Sequence, residues 1–270
     1  MNSYQLYLVL PGTDNCLQVM IHLNDIAQFL DRFFAVHRFG NDQNGVYLPS
    51  TCPIARFGLA LEPWPQLAEW ASAAQLDALF LHRPWQLQPG QLASNVGVVA
   101  YHLAFDEHLT LGFNSRLATV LGMSRLEVLG EKEGRAIGMI GDIPTQSFAS
   151  YCCCVDEVFG GHDEARADAC REVSRVAVVG AMTDALVREA ASRGADVYTT
   201  GQLRQPAQTA WVETGISVVA IGHRRCEEWG LQALAGVLCE RWSRLEVILP
   251  PGNFPQSGKF ALPRAHPRMD

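Results

Sequence analysis

Residues 175–202 read RVAVVGAMTDALVREAASRGADVYTTGQ, in which two apolar runs flank a more polar segment. The runs at 175–179 and 197–200 have the length and character of buried strands, and the segment 184–193 between them has a helical period. A strand, a helix and a second strand in this order are the repeating unit of α/β proteins. This stretch therefore predicts an α/β fold with a largely parallel or mixed sheet.

The same alternation extends over most of the chain. Polar residues follow several of the apolar runs, and ligands of α/β proteins bind beyond the carboxyl ends of strands. Glycine, asparagine, aspartate and proline predict a loop at 40–53. Further strands are predicted at 56–61, 79–81, 96–101, 217–221 and 245–249, and further helices at 23–34, 65–76, 206–213 and 227–242.

Composition shifts divide the chain into two parts. A polar, glycine-containing segment at 130–134 predicts the boundary between an N-terminal α/β half at 1–132 and a C-terminal α/β half at 133–250. Within the first half, residues 1–19 are a possible extra segment that precedes the first helix. Residues 251–270 are rich in proline and glycine and predict an irregular tail.

Composition also limits the function. The chain has 270 residues, of which 48% are apolar and 18% charged, as in ordinary globular proteins. Its net charge of −7 argues against a general nucleic-acid binder and against adsorption on anionic membranes. No apolar run reaches the roughly 18 residues of a membrane-spanning helix, and the start of the chain lacks the features of a signal peptide. We therefore expect a cytoplasmic protein without a membrane partner.

The eight cysteines are an even number, but a chain of this length does not need disulfides to stabilise its core. We expect free thiols. The run Cys152-Cys153-Cys154 resembles a metal cluster, yet it is predicted to be a buried strand. Adjacent side chains of a strand point to opposite faces, so three consecutive thiols do not converge on one ion.

Histidines and carboxylates stand at the ends of several predicted strands. His223 and Glu227 are four residues apart at the start of a helix, where both side chains lie on one face. His102 and Asp106 have the same separation, and His82 follows another strand. A mixed set of nitrogen and oxygen ligands suits a divalent ion such as Zn²⁺, Fe²⁺ or Mn²⁺. These residues therefore predict a divalent metal site.

Four ordered segments carry a resemblance to a known family: LFLHRP at 79–84, HLAFDEHLTLGFNSRL at 102–117, GADVYTTGQ at 194–202 and GHRRCE at 222–227. In this order they resemble the Nif-three-like dinuclear metal-centre family, whose members are also labelled GTP cyclohydrolase I type-two homologues. The resemblance implies two similar α/β halves with mixed sheets that face each other across a metal-binding cleft, in a minimal form without an inserted domain. It also implies a homohexamer built as a dimer of trimers.

The resemblance implies metal ligands at His82, Asp106, His223 and Glu227. The sequence departs from the family pattern at Arg83, which replaces a second histidine. A guanidinium has no lone pair for a metal ion, but it could supply the positive charge of a second ion. Three states of the site are then possible: two metal ions of which one is under-coordinated, one ion only, or no ion. We favour a single or weakened site. We expect Arg83 beside Asp106 or Glu227; in a misaligned motif it would instead point to solvent.

Two functions of different classes fit these residues. The first is a metal-dependent hydrolase, in which a metal-activated water attacks a C–N or phosphoester centre of a small molecule that the sequence does not identify. In this hypothesis His102 and Arg83 are the catalytic residues, and His102 moves the proton. The second is a non-catalytic metal-binding protein, either chaperone-like or a regulatory scaffold. The replacement of a ligand by Arg83 adds weight to the second hypothesis, which stays the alternative to the hydrolase.

Overall fold

The computed structural model describes residues 20–167 and 171–251. The predicted extra segment at 1–19 and the tail after residue 251 lie outside the described residues. The helices are α1 (Leu23–Phe33), α2 (Leu67–Ala73), α3 (Leu103–Leu109), α4 (Ser115–Val120), α5 (Phe148–Phe159), α6 (Asp184–Ser192), α7 (Gln208–Thr214) and α8 (His223–Arg241). The strands are β1 (Asn44–Leu48), β2 (Arg56–Ala60), β3 (Ala78–Leu81), β4 (Gly97–Tyr101), β5 (Ser124–Val128), β6 (Glu131–Lys132), β7 (Arg135–Ala136), β8 (Gly138–Ser147), β9 (Glu164–Arg166), β10 (Glu172–Val179), β11 (Val197–Thr200), β12 (Ser217–Ala220) and β13 (Glu246–Ile248).

The strands form two mixed sheets and a small hairpin. One sheet has the order β1-β4-β3-β2-β13, in which β1 is an antiparallel edge strand and the other four strands are parallel. The other has the order β5-β8-β10-β11-β12-β9, with three parallel strands in its centre and antiparallel strands outside them. Strands β6 and β7 form the hairpin. The predicted α/β fold with two halves and mixed sheets is confirmed.

Both faces of each sheet are covered, which explains why the strands read as continuous apolar runs. In β10, Val176 and Val178 belong to a large core between the sheets, whereas Ala177 and Val179 belong to a separate core on the other face. Helices α1, α3, α5 and α8 contribute to the large core, and α6 and α7 cover the outer face of the six-stranded sheet. The two halves therefore share one layer of helices.

The path of the chain differs from the predicted halves at two strands. Strand β5 at Ser124–Val128 pairs with β8 of the six-stranded sheet, although it precedes the predicted boundary at residue 133. Strand β13 at Glu246–Ile248 returns to pair with β2 of the five-stranded sheet. The chain thus crosses between the sheets before residue 124 and crosses back after α8.

The run Cys152-Cys153-Cys154 lies in helix α5, so its prediction as a buried strand is wrong. The side chain of Ser147 accepts a hydrogen bond from the backbone N–H of Ser150, which caps the start of the helix, and Gly160 ends it with a φ of +74°. Successive side chains of a helix point about 100° apart, so the three thiols still do not converge on one ion.

The predicted loop at 40–53 contains strand β1, which sequence patterns did not reveal. As an edge strand it buries little side-chain surface, and Val46 and Leu48 are exposed. None of the helices among residues 20–167 and 171–251 has the length and apolar character needed to cross a bilayer. The prediction of a cytoplasmic protein is not tested by this finding and stays a prediction.

Helices α3 and α8 approach closely at Gly230, and we predict that Gly230→Ala destabilises the protein. A Cβ at this position would lie 2.7 Å from Cζ of Phe105 and 3.2 Å from the carbonyl oxygen of Leu109. Overpacking of this kind costs about 1–3 kcal/mol, which exceeds the gain of about 1 kcal/mol in helix propensity. Chemical denaturation should show a lower free energy of unfolding. Gly40→Ala is the matched control, because a Cβ there meets no atom within 4 Å; equal losses in both variants would contradict the prediction.

Candidate metal centre

Five of the predicted site residues stand where strands give way to helices. His82 directly follows β3, and His102 follows the neighbouring parallel strand β4, so both lie at the same edge of the sheet. Asp106 lies one turn into α3. His223 and Glu227 form the first turn of α8, which packs against α3. The carboxyl edge of the five-stranded sheet and the shared helices therefore define the site.

The imidazole of His82 is fully buried and its orientation is fixed. Its Nδ1 lies 3.0 Å from the carbonyl oxygen of Tyr101. Because a carbonyl oxygen only accepts, Nδ1 carries the proton and Nε2 of the neutral ring carries the lone pair. That Nε2 lies 3.4 Å from Oδ1 of Asp106 and 3.2 Å from Oε1 of Glu227.

Two of these atoms lack a hydrogen bond in a buried position. Nε2 of His82 and Oδ1 of Asp106 have no hydrogen-bond partner among the described residues. Buried polar atoms of native proteins are almost always satisfied, and an exception requires a ligand, an ion or an extra proton. A lone pair that faces carboxylate oxygens is repulsive until a cation or a proton lies between them. The orphaned pair therefore fits a metal ion.

The imidazole of His102, like that of His82, is oriented by a hydrogen bond at Nδ1. Its Nδ1 lies 3.0 Å from Oδ1 of Asp42, and the other oxygen of Asp42 accepts a 2.6 Å hydrogen bond from the backbone N–H of Leu103. The ring of Trp85 packs edge-on against it at 4.9 Å. A carboxylate on one ring nitrogen orients the other nitrogen towards a metal ion in many metalloproteins. Asp42 thus orients the imidazole of His102, and sequence reasoning missed it.

His82, His102 and Asp106 form a potential metal-binding triad. One ligand atom from each lies within 4.8 Å of the other two, and the imidazole rings of the two histidines are 5.1 Å apart. Burial raises the pKa of Asp106, and the charge of Glu227 adds to this effect, while the three nearby histidines oppose it. Two imidazoles and one carboxylate leave open positions on an ion, which is typical of catalytic rather than structural sites.

Arg83 contacts both carboxylate oxygens of Glu227, including Oε1, which also lies near Nε2 of His82. Its Nη2 donates a 2.8 Å hydrogen bond to Oε2 of Glu227, and its Nη1 donates a second one to Oε1. Burial alone would raise the pKa of Glu227, but Arg83 and the protonated form of His82 outweigh it, and the pKa is lowered to about 2. The expected contact between Arg83 and Glu227 is confirmed, and the alternative in which Arg83 points to solvent is wrong.

His223 is the most exposed of the predicted ligands. Its side chain is 68% exposed, and its Nε2 lies 2.9 Å from Oε1 of Glu227. The structure thus brings all six predicted site residues together. His82, His102 and Asp106 form the triad, and Glu227 contacts Arg83, His223 and Nε2 of His82. The assignment of individual residues as ligands or catalytic groups stays a prediction.

A cavity of about 210 Å³ opens beside the site, between the two halves. Its walls come from α3, from the hairpin β6–β7, from the ends of β10 and β11, and from the first turn of α8. A larger cavity of about 820 Å³ lies nearby, lined by Trp64, Trp70 and Glu62 among others. Glu62 accepts a 3.3 Å hydrogen bond from Nε of Arg83. None of the three triad residues lines this larger cavity. The smaller cavity is therefore the one that reaches the candidate metal centre.

Comparison with known proteins places the chain in a family. The sequence pattern of Duf34/NIF3 (NGG1p interacting factor 3) matches residues 21–251. The chain therefore belongs to the Duf34/NIF3 family, which confirms the resemblance found in the sequence.

Curated relatives match over nearly their whole length. A protein of Allochromatium vinosum called "GTP cyclohydrolase 1 type 2 homolog" is 26% identical over 86% of this chain and 98% of its own. A protein of Pyrococcus horikoshii with the same name is 25% identical over 84% of this chain and 96% of its own.

Solved structures show the same fold. Protein ybgI, described as being of unknown function, has a TM-score of 0.70 and 19% identity, covering 87% of this chain and 100% of its own. Reduced HcgD from Methanocaldococcus jannaschii has a TM-score of 0.65 and 20% identity, covering 87% and 99%.

The contact between Arg83 and Glu227 predicts the metal stoichiometry. We expect one ion per chain in the wild type, because the guanidinium occupies both oxygens of Glu227 and offers no lone pair. Arg83→His should raise the content towards two ions, since it supplies an imidazole and frees Glu227. Arg83→Ala frees Glu227 without adding a ligand and should stay near one. Elemental analysis of the three proteins measures this, and two ions in the wild type would show that Arg83 displaces none.

Proposed function

We propose that this member of the Duf34/NIF3 family is a metal-dependent hydrolase, in which one divalent ion is held by His82, His102 and Asp106. The observation that carries the proposal is the convergence of three ligand atoms within 4.8 Å, two of the residues having orphaned buried atoms. Zn²⁺, Fe²⁺ and Mn²⁺ suit a set of two imidazoles and one carboxylate. In this assignment His102 is a ligand rather than the proton carrier that the sequence predicted.

A divalent ion with open positions supplies Lewis acidity and lowers the pKa of water. The residues around it have separate tasks. Tyr101 and Asp42 fix the two imidazoles through Nδ1, so that little reorganisation is needed when Nε2 engages an ion. His223 borders the cavity and contacts Oε1 of Glu227 through Nε2, which places an imidazole where it can exchange a proton with a bound substrate.

Arg83 neutralises Glu227 in this proposal. A buried carboxylate beside a second carboxylate and a ring lone pair is unfavourable unless a positive partner is present. The paired hydrogen bonds of the guanidinium supply that partner permanently. Arg83 is therefore a positioning residue for Glu227 and, through Oε1 of Glu227, for His223.

Turnover should depend on both the ion and Asp106. We expect chelator-treated protein to lose hydrolysis of p-nitrophenyl phosphate and to regain it with Zn²⁺, Fe²⁺ or Mn²⁺. Asp106→Asn should lower kcat/KM by about 100-fold or more, because it removes the charged ligand of the triad. The names of the curated relatives add ring opening of GTP as a second assay.

Glu69→Gln is the matched control for Asp106→Asn, because it removes an exposed carboxylate that lines the larger cavity. It should keep wild-type activity. Turnover that survives chelation, or that is equal in Asp106→Asn and the wild type, would contradict the hydrolase. Metal binding without turnover in either assay would favour the non-catalytic metal-binding protein instead.

We also propose a cytoplasmic location. Among the described residues, Cys52, Cys152, Cys153, Cys226 and Cys239 are free thiols, and free thiols are typical of reducing compartments.

We further propose that the chain assembles into a homohexamer, as a dimer of trimers. Trp85 and Leu103 flank His102 and are 56% and 39% exposed, and Phe113 is 38% exposed. Exposed aromatic and apolar residues are typical of interfaces, and closed symmetry is the rule for homo-oligomers. Trp229 of α8 is buried and therefore does not contribute. Sedimentation equilibrium at micromolar concentration should give about six times the chain mass; the mass of one chain would contradict the assembly.

A further inference from the structure

We propose that the cavity between the halves receives a small anionic group, a phosphoryl or a carboxylate, and that Lys132 is the residue that binds it. The inference rests on the proposed function and names the substrate class of the same site. Lys132 ends strand β6 and lines the cavity together with Asp106 and Glu227. The argument proceeds from charge, support, shape and size.

The charges that line the cavity are compensated except for that of Lys132. Glu227 is paired with Arg83, and Glu107 is paired with Arg135 at 2.9 Å. Asp106 is a ligand of the proposed ion. Lys132 makes no ion pair within 4.0 Å among the described residues, although its side chain borders the same space. Lys132 is exposed, so its charge is solvated in the free protein and is available to an anion that enters the cavity.

Residue choice supports a ligand-binding role for Lys132. The chain contains 21 basic residues, of which Lys132 and Lys259 are the only lysines. Arginine makes the bidentate pairs that hold this fold together, as at Arg83 and Arg116. Lysine presents a compact charge with three rotatable donors and is a common phosphate ligand. A lysine at the cavity therefore differs in chemistry from the structural cations of this chain.

The hairpin that carries Lys132 is firmly attached to the opposite half. Arg135 is 5% exposed; it donates to Glu107 of α3 at 2.9 Å, to Glu133 at 2.8 Å and to the carbonyl oxygen of Arg38 at 3.1 Å. The turn itself is tight, because Glu133 and Gly134 both have positive φ. The backbone of the hairpin at Lys132 is thus fixed relative to α3, the helix that carries Asp106 of the triad.

Two glycines keep the opposite wall free of side chains. Gly180 and Gly201 follow the parallel strands β10 and β11, where ligands of α/β proteins bind. A Cβ at Gly180 would meet its nearest neighbour, Leu111, only at 4.0 Å, and one at Gly201 would meet neighbours no closer than 3.9 Å. Neither glycine has a positive φ. Packing and backbone conformation would therefore permit alanine, and its methyl group would take space from the cavity.

The cavity is too small to enclose a large ligand completely. Clefts that enclose drug-sized molecules measure about 300–1,000 Å³, whereas this cavity measures about 210 Å³. It accommodates a small acid or the anionic end of a larger molecule, but it does not enclose a whole nucleotide.

Isothermal titration calorimetry with inorganic phosphate and with acetate tests the proposal on the full chain, loaded with Mn²⁺ and after chelation. We expect the metal-loaded wild type to bind at least one of the two, and Lys132→Gln to raise its Kd about ten-fold, because a charge-assisted contact is lost. Lys132→Arg should stay within about three-fold. Gly180→Ala should also weaken binding. Arg125→Gln is the control, because it removes an 82% exposed charge on β5, outside the cavity.

Preference for phosphate identifies a phosphoryl group, and preference for acetate a carboxylate. An equal Kd in Lys132→Gln and the wild type, or no binding of either anion to the metal-loaded wild type, overturns the proposal. Metal content and turnover are measured on the same samples. Binding that depends on Lys132 without metal-dependent turnover would refute the hydrolase and leave the anion site standing, whereas turnover with an equal Kd in Lys132→Gln would do the reverse.

Discussion

Three acceptor atoms meet in a buried place: Nε2 of His82, Oδ1 of Asp106 and Oε1 of Glu227. The nitrogen lies 3.4 Å from the first oxygen and 3.2 Å from the second. Without positive charge this arrangement would be repulsive, because water is excluded and each atom presents a lone pair. The guanidinium of Arg83 supplies the positive charge at Glu227, and a divalent ion or a proton must supply it at Asp106. These three atoms come from elements of different parts of the chain: His82 follows β3, Asp106 lies in α3 and Glu227 lies in α8.

The fold supplies that hold through elements of both halves. Neighbouring parallel strands bring His82 and His102 to one edge of the sheet, and the close approach of α3 and α8 brings Asp106 near Glu227. The hairpin of the second half then fastens onto α3 through Arg135. These contacts join residues that are 20 or more positions apart in the sequence, so the geometry of the site depends on the packing of α3 against α8.

The sequence predicted the parts of the site whose signals are local. Strand ends revealed His82 and His102, and the helix start revealed Glu227, because apolar runs and spacing mark such positions. Asp42 gave no signal, because it lies in a segment that is predicted to be a loop. The helix start that it supports, at Leu103, is 61 residues further along the chain. The three cysteines lie in a helix that Ser147 and Gly160 delimit, and a short apolar run by itself does not distinguish a buried strand from a buried helix. Long-range hydrogen bonds and edge strands are therefore what the sequence could not reveal.

Arg83 also shows why membership of a fold family does not determine the chemistry of a site. A metal ion exchanges, depends on supply and needs deprotonated ligands, whereas a guanidinium is part of the chain and stays charged at every physiological pH. The pairing with Arg83 therefore fixes the charge state of Glu227 whether or not an ion is bound. Glu227 in turn touches His223, which borders the cavity. In the proposed function, a permanent cation at this position compensates Glu227 without metal, and His82, His102 and Asp106 are the residues that hold the divalent ion.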